Sequence, residues 1–241
     1  MSILEFENKH VDIITDYDKL SVRSDEIDIK KNGSRISPII VNMKNILRND
    51  DSIKGISAIQ LNEPDRIICI NFNGNIKTFV NPIIDNCTGM TLSIETCHSI
   101  PDKRYLRVRN TNISVTYQTP LGKIEHTELT GMAAYVMQHH IDHLNGVLLN
   151  DVGFEIDEDW DSLTSEQQEE IISYYLDSID MTAEQLTKEA LEDKETKMTY
   201  DAVKFMESVK SGQTKIEKVP ITDEEFEVLK QYVESKENDN G

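Results

Sequence analysis

The chain has 241 residues, 38% of them apolar, and carries 44 Asp and Glu against 25 Lys and Arg, a formal net charge of −19. That length suits one sizeable core, or one core plus an extension. An acid excess of this size argues against a nucleic-acid backbone as partner, and no run approaches the roughly 18 apolar residues of a membrane span.

The first residues show no basic-then-apolar leader. Cys69, Cys87 and Cys97 do not read as a disulfide framework, so a reducing, cytoplasmic setting is expected. Residues 1–35 are polar and lack clear periodicity. Residues 36–47 predict an amphipathic helix, with Ile39, Ile40, Met43, Ile46 and Leu47 on one side, ended by Asn49-Asp50-Asp51. The small residues of Gly55-Ile-Ser-Ala-Ile-Gln60 allow close backbone approach. Residues 66–71 and 77–80 are β-rich runs, the second stopped by Asn81-Pro82. Cys69 falls in the first as an inert buried thiol. Cys87 sits in a turn-like stretch and receives no role. Residues 91–100 fit a strand that contains Cys97. Residues 112–118 and 123–129 alternate about the turn Thr119-Pro-Leu-Gly122, as a hairpin does.

A buried helix follows. Thr130 suits its N-cap. Met132, Ala133, Val136, Met137, Ile141 and Leu144 form a broad apolar stripe, and Asn145-Gly146 is a stop. His139 and His143 stand four residues apart, so a helix places both rings on one face. Such a pair can supply two metal ligands, or can be two satisfied core histidines. Burying His140 as well is costly unless all three have partners. A third ligand has to come from elsewhere in the chain. Cys97 is a candidate, because thiolate suits zinc and ferrous iron.

From Asp151 onward the chain holds 26 acidic and 9 basic residues, whereas the first 150 residues hold 18 and 16. This shift marks a boundary between a domain of residues 1–155 and an acidic helical C-terminal extension of residues 156–241. Thr164, Thr182, Thr199 and Thr222 each precede a helix-like stretch. Gln167, Gln185 and Glu225 complete capping-box spacings with the first, second and fourth. Ile171, Ile172, Tyr175 and Leu176 make one helical face; Phe226, Leu229, Tyr232 and Val233 make another. Four helices are expected, with residues 235–241 disordered. The extension reads as a solvated surface or as a docking segment for a basic protein partner.

Three stretches together resemble the peptide deformylases, metalloenzymes that remove the formyl group from new N-terminal methionines. The family's Gly-rich motif ending in Ala-Ala-x-Gln is similar to Gly55–Gln60. Its Glu-Gly-Cys-Leu-Ser motif, followed by an apolar residue and Pro, is similar to Glu95-Thr-Cys97-His98-Ser-Ile-Pro101. Its Gln-His-Glu-x-Asp-His-Leu-x-Gly motif is similar to the stretch from Gln138 to Gly146. The resemblance spans residues 10–155. It implies an α+β, peptide-deformylase-like fold: short antiparallel strands, near residues 66–71, 77–80, 94–99, 112–118 and 123–129, around a central metal-binding helix. It implies Cys97, His139 and His143 as ligands of a divalent metal, Fe2+ or Zn2+, with an open position for an attacking water. It implies Gln60 and the backbone N–H of His98 as oxyanion donors, and an N-formyl-methionyl peptide as substrate. Glu95 and Asp142 would orient the ligand histidines. Arg104 and Arg109 would pair with those acids, contact substrate, or lie on the surface.

The chain departs from the family at the catalytic base. The family has Glu between the two ligand histidines; this sequence has His140. General acid–base help is typically worth about 10² to 10⁴ in rate. An imidazole can exchange a proton at neutral pH, but it brings no negative charge, and it could fill the metal's open position instead. Ile53, Ser57, Thr96 and His98 also depart from the family's residues and reshape the pocket wall. Three readings follow. The chain is a deformylase. Or it is a degenerate deformylase fold kept as a structural or assembly protein, acting through its acidic tail, with a phage source and a place in the virion among the options. Or it is a metal hydrolase with another substrate, His140 serving a changed mechanism.

Overall fold

The computed structural model describes residues 12–156 and 160–179. Within them a six-stranded antiparallel sheet packs on a buried helix, which is the expected α+β architecture. Five strands follow chain order across the sheet: β1 (Gly55–Ser57), β2 (Ile67–Phe72), β3 (Asn75–Cys97), β4 (Ile100–Gln118) and β5 (Ile124–Thr130). β6 (Phe154–Ile156) adds to β4 beside Arg104, Tyr105 and Leu106. The helices are α1 (Tyr17–Leu20), α2 (Ile29–Asn49), α3 (Gly131–Leu144), α4 (Leu149–Val152) and α5 (Ser165–Ser178). No helix among the described residues is long and apolar enough to cross a membrane.

The amphipathic helix is longer than its apolar stripe. α2 starts at Ile29, where the Asp28 carboxylate accepts the Lys30 N–H at 3.1 Å, a side-chain cap. Its first turns are polar, so periodicity alone finds only its second part. Ile36, Ile39, Ile40, Met43 and Leu47 are buried against Ile56, Ile67 and Cys69. Burial pushes the Cys69 thiol up to about 11, the inert state expected of it.

The strands correct the sequence reading most. Asn81-Pro82 does not end the second β-run; β3 passes straight through it. Asn81 takes φ 49°, and the β3–β4 register slips between Val80 and Ile83. Pro82 sits inside that slip, where its missing N–H removes no rung. The Asn81 side chain fills the gap: it accepts the Ile27 N–H at 2.9 Å, and donates to the Ile27 carbonyl at 2.9 Å and to Gln118 at 3.1 Å. Cys87 is therefore in a strand, opposite Ile113, and not in a turn. β4 begins at Ile100, well before the expected residue 112; its first half is charged and does not alternate, so pattern alone finds only its second half. Two of the strands are thus long, and together they make an extended ribbon.

The predicted hairpin about Thr119–Gly122 is present, with β4 and β5 paired from Asn112↔Thr130 to Gln118↔Ile124. The Thr164 capping box is present too. Thr164 Oγ1 accepts the Gln167 N–H at 3.3 Å, and Gln167 Oε1 accepts the Thr164 N–H at 2.9 Å. α5 then lays Tyr175 and Leu176 against Leu106, Ile156 and Trp160. Every described residue belongs to one compact unit, which lies within Met1–Lys197. The helices expected after Thr182, Thr199 and Thr222, and the disorder expected at residues 235–241, lie outside the described residues.

Candidate active site

α3 supplies the floor of the site. Ala134, Met137, Ile141 and Leu144 bury one face against the sheet. His139, His140 and His143 project from the other side, as helical spacing requires. Thr130 is the N-cap in backbone geometry, but its side chain makes no capping bond. Asn145 and Gly146 end the helix as expected; Gly146 has φ 73°, and a Cβ there would meet the Ser21 carbonyl at 2.4 Å. Gln138 anchors the helix to the ribbon by donating to the Asn110 carbonyl at 2.8 Å and accepting its N–H at 3.0 Å.

β3 ends at Cys97, directly over α3, which closes the long sequence gap between thiol and imidazoles. One ligand atom each from Cys97, His139 and His143 lie within 4.8 Å of one another. Cys97 Sγ is 3.2 Å from His143 Nε2. Burial pushes the Cys97 thiol up, but the hydrogen bonds and charges of His139 and His143 outweigh this and bring it down to about 5. Burial pulls His139 down, while Cys97 and Glu95 lift it to about 9. The cluster therefore holds a thiolate, with positive charge drawn toward it. A divalent cation can supply that charge, and one soft sulfur with two imidazoles is a fitting donor set for zinc or ferrous iron.

His139 is oriented from behind. Its Nδ1 lies 3.0 Å from Glu95 Oε2, so Nε2 is left for a metal. Arg109 grips both Glu95 oxygens, at 2.7 and 2.9 Å, and donates to Asp142 at 2.6 Å. Burial raises the Glu95 carboxyl, yet Arg109 and His139 hold it down to about 2, fully ionised. Asp142 thus orients no histidine directly; it completes the pairing of a buried guanidinium. Arg104 meets neither acid of the site. It pairs with Asp161 of the extension at 2.8 Å.

The other expected residues border a groove of about 250 Å3 between residues 52–55 and 93–98. Gln60 is buried and its amide orientation is determined. Its Oε1 accepts the Ser57 N–H at 3.0 Å and the Ser57 hydroxyl at 3.1 Å. Its Nε2 donates to Ser99 at 3.1 Å and stands 4.0 Å from Cys97 Sγ. His98 is at the rim, its Nε2 3.4 Å from the Ser52 hydroxyl. His140 is 5% exposed and wedged against Gly55, where a Cβ would lie 2.5 Å from its Nε2. Burial holds its pKa well below the ordinary value, and the neighbouring His139 and His143 add to this. Neither nitrogen joins the ligand cluster, and Nδ1 has no partner among the described residues.

All six expected site residues therefore converge: Gln60, Cys97, His98, His139, His140 and His143. Sequence reading placed Ser57, Ser99 and Gln138 within the motifs but gave them no contact to make. Ser57 and Gln60 keep the spacing of a capping box, so that pair was detectable. Ser99 and Gln138 act across the fold, on partners 39 and 28 residues away, which no local spacing encodes.

The model of the polypeptide deformylase family matches residues 11–156. A peptide deformylase of Mesorhizobium japonicum is 37% identical over 103 residues, 40% of this chain and 58% of that protein. The match thus spans little more than half of that relative's length. A peptide deformylase of Dictyoglomus turgidum is 30% identical over 129 residues, 51% of this chain and 84% of that protein. A solved structure of a probable peptide deformylase from Synechococcus phage S-SSM7 is 29% identical, with a TM-score of 0.52 over 58% of this chain and 97% of that one. With the Cys-His-His cluster and the Gln60 amide set as described, the chain belongs to the polypeptide deformylase family.

Proposed function

We propose that this chain is a metal-dependent peptide deformylase that hydrolyses the N-formyl group of formyl-methionyl peptides. The observation that carries the proposal is the convergence of Cys97, His139 and His143 beside the Gln60 amide, with Cys97, His139 and Gln60 lining one groove. Those three residues would hold Fe2+ or Zn2+, which supplies Lewis acidity toward a water and a carbonyl oxygen.

The chain's own groups do the rest. Gln60 offers its N–H group to the developing oxyanion and cannot turn away, because Ser57 holds the other end of the amide. The His98 backbone N–H is the second donor. Ile94, Met132 and Val136 give the groove an apolar wall for a methionine side chain. His140 is neutral and lines the groove, so its imidazole is the group that accepts a proton during attack and returns it to the leaving amine. Its Nδ1 is buried without a partner among the described residues, which costs about 1–3 kcal/mol. In this reading residues 1–155 are the deformylase domain, working in the cytoplasm, and residues 156–241 are an extension that meets a basic protein partner.

A second reading keeps the fold as a structural or assembly protein, in a phage particle or elsewhere. Its support is the His140 wedge: an imidazole held against Gly55 brings none of the charge of a carboxylate base. Turnover of formyl-Met-Ala-Ser by anaerobic protein, with metal counted in the same sample, tests both. We expect turnover by the wild type, raised about 10- to 100-fold in His140→Glu. Silence of both proteins at full metal loading would sink the deformylase reading and favour the second.

A further inference from the structure

The outer edge of β4 is covered in pieces. β6 pairs with Arg104, Tyr105 and Leu106 and then stops; β5 takes over at Asn112. Val108 and Asn110 lie in the interval between them. Standing two apart, they turn their N–H groups to the same edge. Two side chains take the place of the missing strand. The Tyr175 hydroxyl, from α5, accepts the Val108 N–H at 3.3 Å. Gln138, from α3, pairs with both backbone groups of Asn110.

The residue between those two rungs is Arg109. It is 4% exposed, and it grips both oxygens of the carboxylate that orients His139. The pleat separates the two roles. Leu106 and Val108 pack toward α5 with Leu92, whereas Glu95 and Arg109 face α3. A guanidinium fork is directional, so a small shift of the β4 backbone misaligns it and the carboxylate behind His139.

We propose that Tyr175 is a positioning residue of the metal site. With Gln138, its hydroxyl pins the backbone on either side of Arg109, and the Arg109–Glu95 pair carries that constraint to the ring of His139. The extension beyond the family match then contributes a working part of the centre. The inference rests on the metal-site reading given above.

The test compares full-length wild type, Tyr175→Phe and Leu176→Ala. Leu176 neighbours Tyr175 and is as deeply buried, so its truncation removes packing and keeps the hydroxyl. Zn2+ affinity is read by competition with a chromophoric chelator, Val108 by backbone amide exchange, and turnover by kcat and KM separately. We expect Tyr175→Phe to weaken Zn2+ binding about 3- to 10-fold, to speed exchange at Val108, and to lower kcat with KM unchanged. Leu176→Ala should lower the melting temperature and leave Zn2+ affinity where it was. Unchanged affinity in Tyr175→Phe overturns the proposal, as does an equal loss in Leu176→Ala, which would assign the effect to packing. A wild type that binds no Zn2+ overturns the metal-site reading and this inference together. A wild type that binds Zn2+ but turns over no peptide overturns only the deformylase reading, and the affinities still decide the role of Tyr175. Should Tyr175→Phe fail to fold, the wild-type Val108 amide decides: exchange as slow as at Asn110 supports the bond, and unprotected exchange overturns it.

Discussion

His140 and Gly55 act as a pair. The imidazole occupies the space that any side chain at residue 55 would need, with a Cβ falling 2.5 Å from Nε2 and 2.8 Å from Val136 Cγ1. Glycine here serves close approach rather than an unusual backbone angle. Gly55→Ala should push the ring aside, at an overpacking cost of about 1–3 kcal/mol. If His140 moves the proton, kcat should fall about 10-fold or more, while metal content is unchanged. Turnover at the wild-type rate in this variant would show that the imidazole takes no part. Gln60 shows the same economy of means: Ser57, which departs from the family pattern, is the residue that holds its amide in the useful orientation.

At the scale of elements, the ribbon of β3 and β4 organises the site, since it carries Glu95, Cys97 and Arg109. Its continuity depends on the slip at Asn81. A left-handed φ suits asparagine better than most residues, and its side chain satisfies both backbone groups of Ile27. Asn81→Ala should therefore cost about 2–4 kcal/mol, the sum of stranded backbone groups and a strained φ. Denaturant titration reads this as a lower midpoint with an unchanged slope. A loss under about 0.5 kcal/mol would mean that water replaces the side chain freely.

At the scale of the molecule, the donors come from the two parts whose packing makes the core. Cys97 is on the sheet, and His139 and His143 are on the helix beneath it. A cation bound there bridges them, and the unfolded chain offers no such arrangement. Zn2+ at about 100 times its dissociation constant should stabilise the fold by about 3 kcal/mol. Melting should rise by roughly 5–12 °C, fall back on chelation, and show no rise in Cys97→Ala. An equal rise in Cys97→Ala would place the binding elsewhere. Residues 160–179 belong to this scale as well, because α5 and the Arg104–Asp161 pair tie them to the ribbon.

The sequence by itself determined what is encoded within a few residues. Four-residue spacing placed His139 and His143 on one helical face, three-residue spacing announced the Thr164 cap, and the turn at Thr119–Gly122 joined its hairpin. The three short motifs named the family and its ligand set. Only the tertiary structure decided what depends on register and chain path. The charged first half of β4 became a strand because Arg109 finds Glu95 and Asp142 there. Pro82 was tolerated inside β3 because the ladder slips at that point. Asp142 turned to Arg109 rather than to a histidine. Tyr175 reached Val108 across 67 residues of chain. Local patterns record backbone propensity and the faces of single elements, whereas a contact between distant residues exists only once packing has fixed how those faces meet.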